Sequence, residues 1–446
     1  MNRILVKPNS SHPARPYAAA ARPALYSALA TALFSCAVVS AAAQVLPAPP
    51  SVTVPPSSIA GPNDTGSRFH TNLEFLSLAK GAVTPNGPPF PGAAYNTPSS
   101  IACVYGLQPA VAGCNPYNTT LNPAGGSRAI AVVDAYDNPN IYYDTAIFNS
   151  QFAVTTTPPN VVYAPSGAFP PGACTGPATQ PASAAGTGWD IEASLDVQWA
   201  HAMAPGAALY LVEAQSSSLL DLLCAVSVAG SLVSKAGGGE ISMSFGGAEF
   251  NGENIADPVF TTPGIVYFAS TGDTPGVIYP SASPNVIAVG GTSISRNVLS
   301  DNFRFENTWQ ETGGGLSAFE ARPAYQNSIT GLVGASRGVP DVSADANVFT
   351  GVWVFNSSNV PECVPAGCWF IVGGTSLSSP LWAGITNAAG HFLASSAAEL
   401  SRIYADPPQA FNDITVGTCG LYMGEVAAAG WDFCSGQGTP KGYPGK

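Results

Sequence analysis

The chain has 446 residues, of which 47 are glycine and 41 are proline, and only 9% carry a charged side chain. A hydrophobic content of 46% excludes an intrinsically disordered chain, and the many helix-breaking residues exclude a long helical bundle. The net charge is −12, from 15 basic and 27 acidic residues, so a basic surface for nucleic acid is not expected. What remains is a loop-rich globular protein.

The N-terminal residues have the pattern of an export signal. Basic residues extend to Arg22, an apolar run follows over 24–39, and small residues precede a cleavage point after Ala43. A retained membrane anchor is the alternative, and Cys36 offers a lipidation site. The pattern favours a cleaved signal peptide over residues 1–43 and a secreted protein, extracellular or periplasmic, that has no membrane contact after signal removal.

The cysteines agree with export. The chain has nine, and removal of Cys36 with the signal leaves an even number, which indicates disulfides. Eight cysteines formally allow about 105 pairings, but proximity in sequence favours Cys103–Cys114, Cys363–Cys368 and Cys419–Cys434, leaving Cys174 with Cys224. A zinc site is the competing interpretation, and no Cys-x-x-Cys pair supports it.

Two regions follow the signal. Residues 44–95 are rich in proline and predict a linker or a reduced pro-segment, with one short helix around 73–78. A folded domain is predicted over residues 96–446. There, short apolar runs typical of buried parallel strands occur at 129–133, 208–212, 241–245, 264–269, 286–289, 352–355 and 370–372.

Helical patterns lie between the apolar runs. They are predicted over 189–203, with Thr187 as N-cap, over 217–234 and over 376–394. Alternation of strands and helices predicts an α/β fold with a mostly parallel central sheet. Active sites of such folds gather at the carboxyl ends of strands.

The segment 373–380 has the sequence Gly-Gly-Thr-Ser-Leu-Ser-Ser-Pro and joins an apolar strand to an apolar helix. A serine at this turn, Ser376, would lie at a helix N-terminus, where backbone N–H groups favour developing negative charge. The same position suits a serine that only caps its helix. This segment alone does not decide between a nucleophile and a cap.

A pair of acids occupies one face of the predicted helix 189–203. Glu192 and Asp196 are four residues apart, so both carboxyl groups project from the same side. A solvated acidic face is the ordinary explanation of such a pair. Trp189, Trp199 and several alanines on the same helix indicate burial instead.

These segments together resemble the sedolisin family, the serine-carboxyl peptidases. The resemblance covers roughly residues 96–442 in consistent order. It rests on the nucleophile segment 373–380, the acidic helix 192–206, the segment Ser-Thr-Gly-Asp-Thr-Pro-Gly at 270–276, and the shorter matches 279–284, 289–292, Trp309, 313–317, 323–326 and 340–345.

The resemblance implies a subtilisin-like three-layer fold and a role for each of four residues. Ser376 would be the nucleophile, Glu192 the base that takes its proton, and Asp196 the residue that orients Glu192. Asp273 would bind the oxyanion together with the backbone N–H of Ser376. A glutamate base still accepts a proton at pH values where histidine is already charged, and an aspartic acid donates a hydrogen bond only when protonated. Both roles suit acidic conditions.

A subtilisin-type triad is the main alternative, since Asp134, His201 and Ser376 follow the same chain order. The sequence after Asp134 and after His201 departs from the subtilisin pattern, and Asp273 stands where asparagine would be expected. His201 is therefore expected to be structural.

The resemblance also implies one structural Ca²⁺ ion near the C-terminus. Its ligands would be the carboxylates of Asp413 and Asp432 and the carbonyl oxygens of Ile414, Ala428 and Gly430. An all-oxygen set suits this hard cation. Two aspartates that only anchor turns are the alternative.

The function indicated is a secreted, acid-active serine-carboxyl endopeptidase, a monomer that cleaves proteins and peptides through an acyl-enzyme. Two departures from the family pattern are a short Pro-rich segment in place of a long folded propeptide, and Gly373 in place of the usual serine. A catalytically silent secreted binding protein on the same scaffold is therefore the alternative from a different class.

Overall fold

A computed structural model of the chain describes residues 51–77, 88–89, 93–109, 111–358, 369–405, 408–420 and 425–446. The predicted signal peptide 1–43, with Cys36, and the predicted Cys363–Cys368 bridge lie outside the described residues. Across these described ranges, no helix has the length and apolarity needed to span a bilayer.

The described residues form seven α-helices and 23 strands, many of them short. The helices are α1 Pro98–Val104, α2 Ile141–Phe152, α3 Trp189–Met203, α4 Leu219–Lys235, α5 Thr330–Val333, α6 Thr375–Ala389 and α7 Ser396–Ala405. The strands are β1 Val52–Thr53, β2 His70–Thr71, β3 Glu74–Ser77, β4 Ala129–Ala135, β5 Asn160–Tyr163, β6 Ser166–Ala168, β7 Ala173–Thr175, β8 Ala208–Ala214, β9 Gly239–Met243, β10 Phe245–Ala248, β11 Ile265–Ser270, β12 Ile278–Tyr279, β13 Ile287–Arg296, β14 Phe303–Thr308, β15 Gly315–Ala321, β16 Ser336–Val339, β17 Val342–Asp345, β18 Val352–Phe355, β19 Trp369–Gly373, β20 Phe411–Asn412, β21 Thr418–Cys419, β22 Glu425–Val426 and β23 Thr439–Pro440.

The central sheet has eight strands in the order β14-β13-β11-β9-β4-β8-β5, with β17 paired to β13. Every neighbouring pair is parallel except β13 with β14. The α/β class with a mostly parallel sheet is therefore confirmed. The carboxyl ends of β4, β9 and β11 lead into Asp134, Ser244 and Asp273, so the topology brings these groups to one edge of the sheet.

Helices cover both faces of this sheet. On one face α3 and α6 pack against each other and bury the indoles of Trp199 and Trp382, and on the other face α4 buries Leu222 and Val226. Strands β4, β9 and β11 are buried at every residue because both of their faces are covered. This gives the three-layer architecture expected from the sequence.

The helix boundaries agree with the sequence patterns in part. Helix α3 has the predicted bounds. The predicted N-cap is wrong by one residue, because Gly188 occupies that position. The hydroxyl of Thr187 accepts a hydrogen bond from the N–H of Trp189. The predicted extension of the last helix to residue 394 is wrong. Helix α6 ends at Ala389 because Gly390 turns the chain with a φ of 75°.

Two predicted strands do not join the parallel sheet. Strands β18 and β19 pair antiparallel and belong to a second sheet in the order β1-β3-β19-β18. The predicted short helix around residues 73–78 is also wrong, since residues 74–77 form strand β3 between β1 and β19. The long-range partner β19 offers an unpaired strand edge, and pairing with it outweighs the weak local helical pattern.

The segment 51–77 lies within the region predicted as a Pro-rich linker or reduced pro-segment. Besides β1 and β3 it contributes β2, which pairs antiparallel with β10, and the hydroxyls of Ser57 and Thr71 hydrogen-bond at 2.7 Å. An ordered, paired segment differs from a flexible linker. The boundaries at 43 and 95 stay predictions.

Three of the four predicted disulfides are formed: Cys103–Cys114, Cys174–Cys224 and Cys419–Cys434. The bridge from Cys174 to Cys224 anchors the β6–β7 hairpin to helix α4. The last bridge closes the C-terminal loop that carries the predicted calcium ligands.

Candidate active site

Ser376 is the second residue of helix α6, and the tight turn before it is made by Gly374 with a φ of 101°. Its side chain is fully buried. The hydroxyl oxygen lies 3.0 Å from Oε2 of Glu192 and 3.1 Å from the carbonyl oxygen of Ser244. A serine that merely capped its helix would bond its own first turn, whereas this hydroxyl points at a carboxyl group of another helix.

Glu192 lies in the first turn of α3 and is fully buried. Burial of this helix was predicted from its tryptophans and alanines. Burial raises the pKa of Glu192 well above its ordinary value, and the nearby carboxyl groups of Asp196 and Asp134 raise it further. The hydrogen bond from Ser376 opposes this rise. Glu192 is thus a carboxyl group with unusually high proton affinity that faces a serine hydroxyl.

Asp196 lies one turn further along α3, also fully buried. Its Oδ1 accepts a hydrogen bond of 2.8 Å from the hydroxyl of Ser244, and its carboxyl group lies close enough to that of Glu192 for each to affect the pKa of the other. Two ionised carboxylates that lie this close repel each other, which favours retention of one proton in the pair. Burial raises the pKa of Asp196 well above its ordinary value. The two acids therefore titrate as a pair that retains a proton beyond the ordinary carboxyl range.

Asp134 is the penultimate residue of β4 and adds a third buried acid beside this pair. No described residue donates a hydrogen bond to either of its carboxyl oxygens. Burial raises the pKa of Asp134 to about 8. Sequence reasoning treated Asp134 only as a candidate for a histidine-based triad, whereas it neighbours Glu192 and Asp196.

Asp273 comes three residues after the end of β11. Its Oδ1 accepts hydrogen bonds from the backbone N–H and the hydroxyl of Thr375, at 2.7 and 2.8 Å. Its Oδ2 is buried and has no donor among the described residues. Burial raises the pKa of Asp273 well above its ordinary value, which favours the protonated form of this carboxyl group.

Gly374 provides the space between Asp273 and the neighbouring chain. A Cβ at this position would lie 2.5 Å from Asp273 Oδ2 and would clash with the carbonyl oxygen of Asn72. Both oxygens therefore crowd the same point next to Ser376. Only glycine fits there, since its positive φ and the lack of a side chain are both needed.

The backbone of Asn72 contacts Ser376 directly, which the sequence did not predict. The N–H of Ser376 donates to the carbonyl oxygen of Asn72 at 2.9 Å, and the N–H of Asn72 donates to the Ser376 hydroxyl at 3.0 Å. The Asn72 side chain donates to the hydroxyl of Ser270 at 2.7 Å. No sequence signal marked this residue, because it lies in the Pro-rich region where the family resemblance is weakest.

His201 is buried near the end of α3, and its Nε2 hydrogen-bonds the carbonyl oxygen of Thr155 at 2.8 Å. Burial lowers the pKa of His201. Its hydrogen bond goes to neither Ser376 nor Asp134. The geometry gives His201 the structural position that the sequence indicated.

The predicted calcium ligands gather in one loop. Oδ2 of Asp413 accepts from the N–H of Gly430 at 3.0 Å, and Oδ2 of Asp432 accepts from the N–H of Ala428 at 2.8 Å. Both carboxylates thus hold the segment 428–430, which contains two of the carbonyl oxygens predicted as ligands. The third predicted carbonyl ligand belongs to Ile414, which is buried and follows Asp413 directly. The donor set is all oxygen, which fits a hard cation. The described residues contain no cluster of three acidic, histidine or cysteine side chains.

The fold and the site define a class of protein: a subtilisin-like α/β domain in which a buried serine meets a carboxyl pair. Comparison with solved structures agrees. Sedolisin from Pseudomonas, described as a serine-carboxyl proteinase in complex with two molecules of pseudo-iodotyrostatin, superposes with a TM-score of 0.59 at 24% identity. The match covers 78% of this chain and 96% of the solved one. At this identity the likeness supports the fold.

Curated relatives supply the sequence evidence. Sedolisin of Pseudomonas sp. (strain 101) is 33% identical over 183 residues, covering 38% of this chain and 29% of the relative. Kumamolisin of Bacillus sp. (strain MN-32) is 30% identical over 290 residues, covering 57% of this chain and 50% of the relative. No protein-family model matches. These similarities support membership of the sedolisin family, and the chain spans at most half the length of these two relatives.

Proposed function

We propose that the chain is a serine-type endopeptidase of the serine-carboxyl class that is secreted and active in acid. The observation that carries the proposal is the 3.0 Å contact between the Ser376 hydroxyl and Glu192 Oε2, within a buried carboxyl pair. Its substrates are proteins and peptides, and we propose a monomer that needs neither nucleic acid nor a membrane after signal removal.

In the proposed reaction Ser376 attacks the carbonyl carbon of the peptide bond while Glu192 takes its proton. This step requires that Glu192 is the ionised member of the carboxyl pair and that the remaining proton is on Asp196, which orients it. The tetrahedral oxyanion is bound by the N–H of Ser376 and by the protonated carboxyl group of Asp273. Glu192 then gives the proton to the leaving amine, and water hydrolyses the ester in the reverse sequence.

We further propose that Asp413 and Asp432, with the carbonyl oxygens of Ile414, Ala428 and Gly430, hold one structural Ca²⁺ ion. Two acids converge on this loop without an ion pair to either of them in the described part of the chain. A bound cation would neutralise their repulsion and fix the C-terminal loop against the domain. The ion would have no part in peptide hydrolysis.

The test is hydrolysis of a denatured protein at about pH 4 by the purified chain and by two variants. Ser376→Ala removes the nucleophile, and Glu192→Gln keeps the size of the base but cannot accept the proton. Each is expected to lower the rate by about 10³-fold or more. Equal rates in wild type and Glu192→Gln would refute the proposed base, and an inactive, folded wild type would favour a silent binding protein.

A further inference from the structure

A cavity of about 490 Å³ lies beside strands β13 and β14, away from the catalytic groups. Arg296 at the end of β13 and Arg304 of β14 both line it, and we refer to it as the arginine cavity. The chain as a whole has 15 basic against 27 acidic residues. Two arginines at one cavity are therefore an exception in a protein whose overall field repels anions.

A β-bulge brings the two arginines to this cavity. Strands β13 and β14 pair antiparallel with Ser295 opposite Phe305 and Arg296 opposite Phe303, so Arg304 has no partner in β13. Regular pairing would set Arg304 directly opposite Arg296, where like charges destabilise a sheet. A bulge interrupts the alternation of side chains and redirects the extra residue. The bulge thus separates the two charges along the strands while both still line one cavity.

Arg296 is held in place but keeps an unused donor. Its Nη1 donates to the carbonyl oxygens of Cys114 and Asp301 at 2.8 and 3.0 Å, and its Nη2 donates to Oδ1 of Asn96. Its Nε is buried and has no acceptor among the described residues. A buried donor without an acceptor costs free energy, which a bound acceptor would recover.

The charge of Arg296 is not neutralised by a neighbour. No acid in the described ranges lies within ion-pair distance of it, although Asp345 and Asp301 act on its charge from further away. Burial raises the pKa of Asp345 well above its ordinary value, so this acid stays largely neutral in acid. Burial lowers the pKa of Arg296 to about 10, which leaves it charged. Asp301 also lines the cavity, and the two arginines outnumber it.

A series of cavities connects the catalytic groups with the arginine cavity. Asp273 and Glu311 line a cavity of about 200 Å³, and Glu311 and Phe349 line a second one of about 320 Å³. Phe349 also lines the arginine cavity. Ser293 lines the second cavity and Arg296 the arginine cavity, three residues further along β13, which is roughly 10 Å in an extended strand.

This path lies on the leaving-group side of a bound peptide bond. The carbonyl oxygen of Asn72 accepts from the N–H of Ser376, and Glu74, two residues further toward the C-terminus, lines the second cavity. A substrate carbonyl at the same N–H and in the same chain direction would place its second residue after the cleaved bond there. About three more extended residues lead to Arg296, which corresponds to roughly the fifth position after the bond.

We propose that Arg296 and Arg304 bind a carboxylate of the substrate, and that the chain prefers peptides with an acidic residue at about the fifth position after the cleaved bond. This rests on the proposed function and adds a specificity to it. Nε of Arg296 and the guanidinium of Arg304 donate to the carboxylate oxygens, a geometry that suits arginine. Tyr95, Val298 and Phe349 supply apolar walls for the neighbouring side chains.

The experiment measures kcat/KM at pH 5 for internally quenched peptides that share one cleavage site. Asp stands at the fourth, fifth or sixth position after the bond, and each peptide is paired with one that has Asn there. Aspartate is mostly ionised at this pH. The best Asp peptide should exceed its Asn partner by about fivefold or more through a lower KM, and the ratio should shrink as salt is added. Equal values within every pair would overturn this inference alone, and hydrolysis of no peptide would overturn the proposed function together with it.

A matched pair of variants assigns the preference to the cavity. Arg304→Gln changes an exposed side chain, so the fold should persist, and the ratio of Asp to Asn peptide should fall to about one. Lys235→Gln removes the same charge from the exposed end of α4 and should leave the ratio unchanged. Arg304→Glu should reverse the preference in favour of a Lys peptide. A ratio that survives in Arg304→Gln, or falls equally in Lys235→Gln, would contradict the proposal.

Discussion

At the residue scale, the site depends on where protons reside among buried acids. In the proposed reaction Glu192 must be ionised to accept the serine proton, whereas Asp196 and Asp273 must be protonated to donate hydrogen bonds. Burial raises the pKa of all three, and sharing one proton within the Glu192–Asp196 pair lets one member ionise while the other stays neutral. A single carboxyl group could not be ionised to accept the serine proton and protonated to donate a hydrogen bond at the same time.

Asp273 offers a sharp test of this proton arrangement. Asp273→Asn keeps an oxygen to accept from Thr375 and gains an NH₂ group that donates at every pH, so we expect most of the activity to remain. Asp273→Ala removes the donor and should lower kcat by about 10²-fold or more. Rates for both variants at pH 4 and 6 provide the measurement, and a greater loss in Asp273→Asn than in Asp273→Ala would contradict the donor role.

Sequence reasoning identified the proposed catalytic residues because each lies in a dense motif: Ser376 at a glycine-rich strand-to-helix turn, and Glu192 and Asp196 on one helical face. It could not locate Asn72. That residue reaches Ser376 only through long-range strand pairing, across 304 positions of sequence. Local pattern carries no information on such a contact.

At the element scale, helices with strong amphipathic or apolar patterns were predicted well, as α3 illustrates, whereas strands that pair in the second sheet were assigned to the wrong partner. Strands β18 and β19 are as apolar as the parallel strands, because both sheets are buried. Burial can be predicted from composition. The partner of a buried strand depends on the rest of the fold.

The C-terminal loop between β20 and β23 is the element in which the calcium proposal is tested. Chelator at pH 6 is expected to lower the melting temperature of the Ser376→Ala chain by several degrees, because the loop would lose the proposed ion that Asp413 and Asp432 bind. Asp413→Asn, which weakens the site without touching the active site, should abolish the chelator effect. An unchanged melting temperature on chelation would refute the ion.

At the scale of the whole molecule, buried acids make stability depend on pH in an unusual direction. Burial raises the pKa of Asp134, Glu213 and Glu240 to about 8, against roughly 4 in an unfolded chain. Between these values the folded state binds more protons than the unfolded state. The stability from these groups is therefore complete below about pH 4 and is lost as the pH rises toward 8.

We expect the chain to be more resistant to heat at pH 4 than at pH 7.5. The melting temperature is measured with Ser376→Ala, so that self-digestion does not interfere, at constant ionic strength. Glu240→Gln keeps the acceptor for Asn387, which donates to Glu240 at 2.7 Å, but removes one titrating group. It should flatten the pH dependence. A higher melting temperature at pH 7.5 in the parent chain would show that these acids are ionised in the folded state.

The central claim is that a carboxyl group, and not His201, activates Ser376. The pH profile of kcat/KM from pH 3 to 8, for wild type and His201→Ala, tests it most directly. The account predicts a bell-shaped profile with its maximum in acid, since the Glu192–Asp196 pair must lose one proton and keep the other, and the same profile shape in His201→Ala. Activity that rises through pH 7 and vanishes in a folded His201→Ala chain would contradict the account.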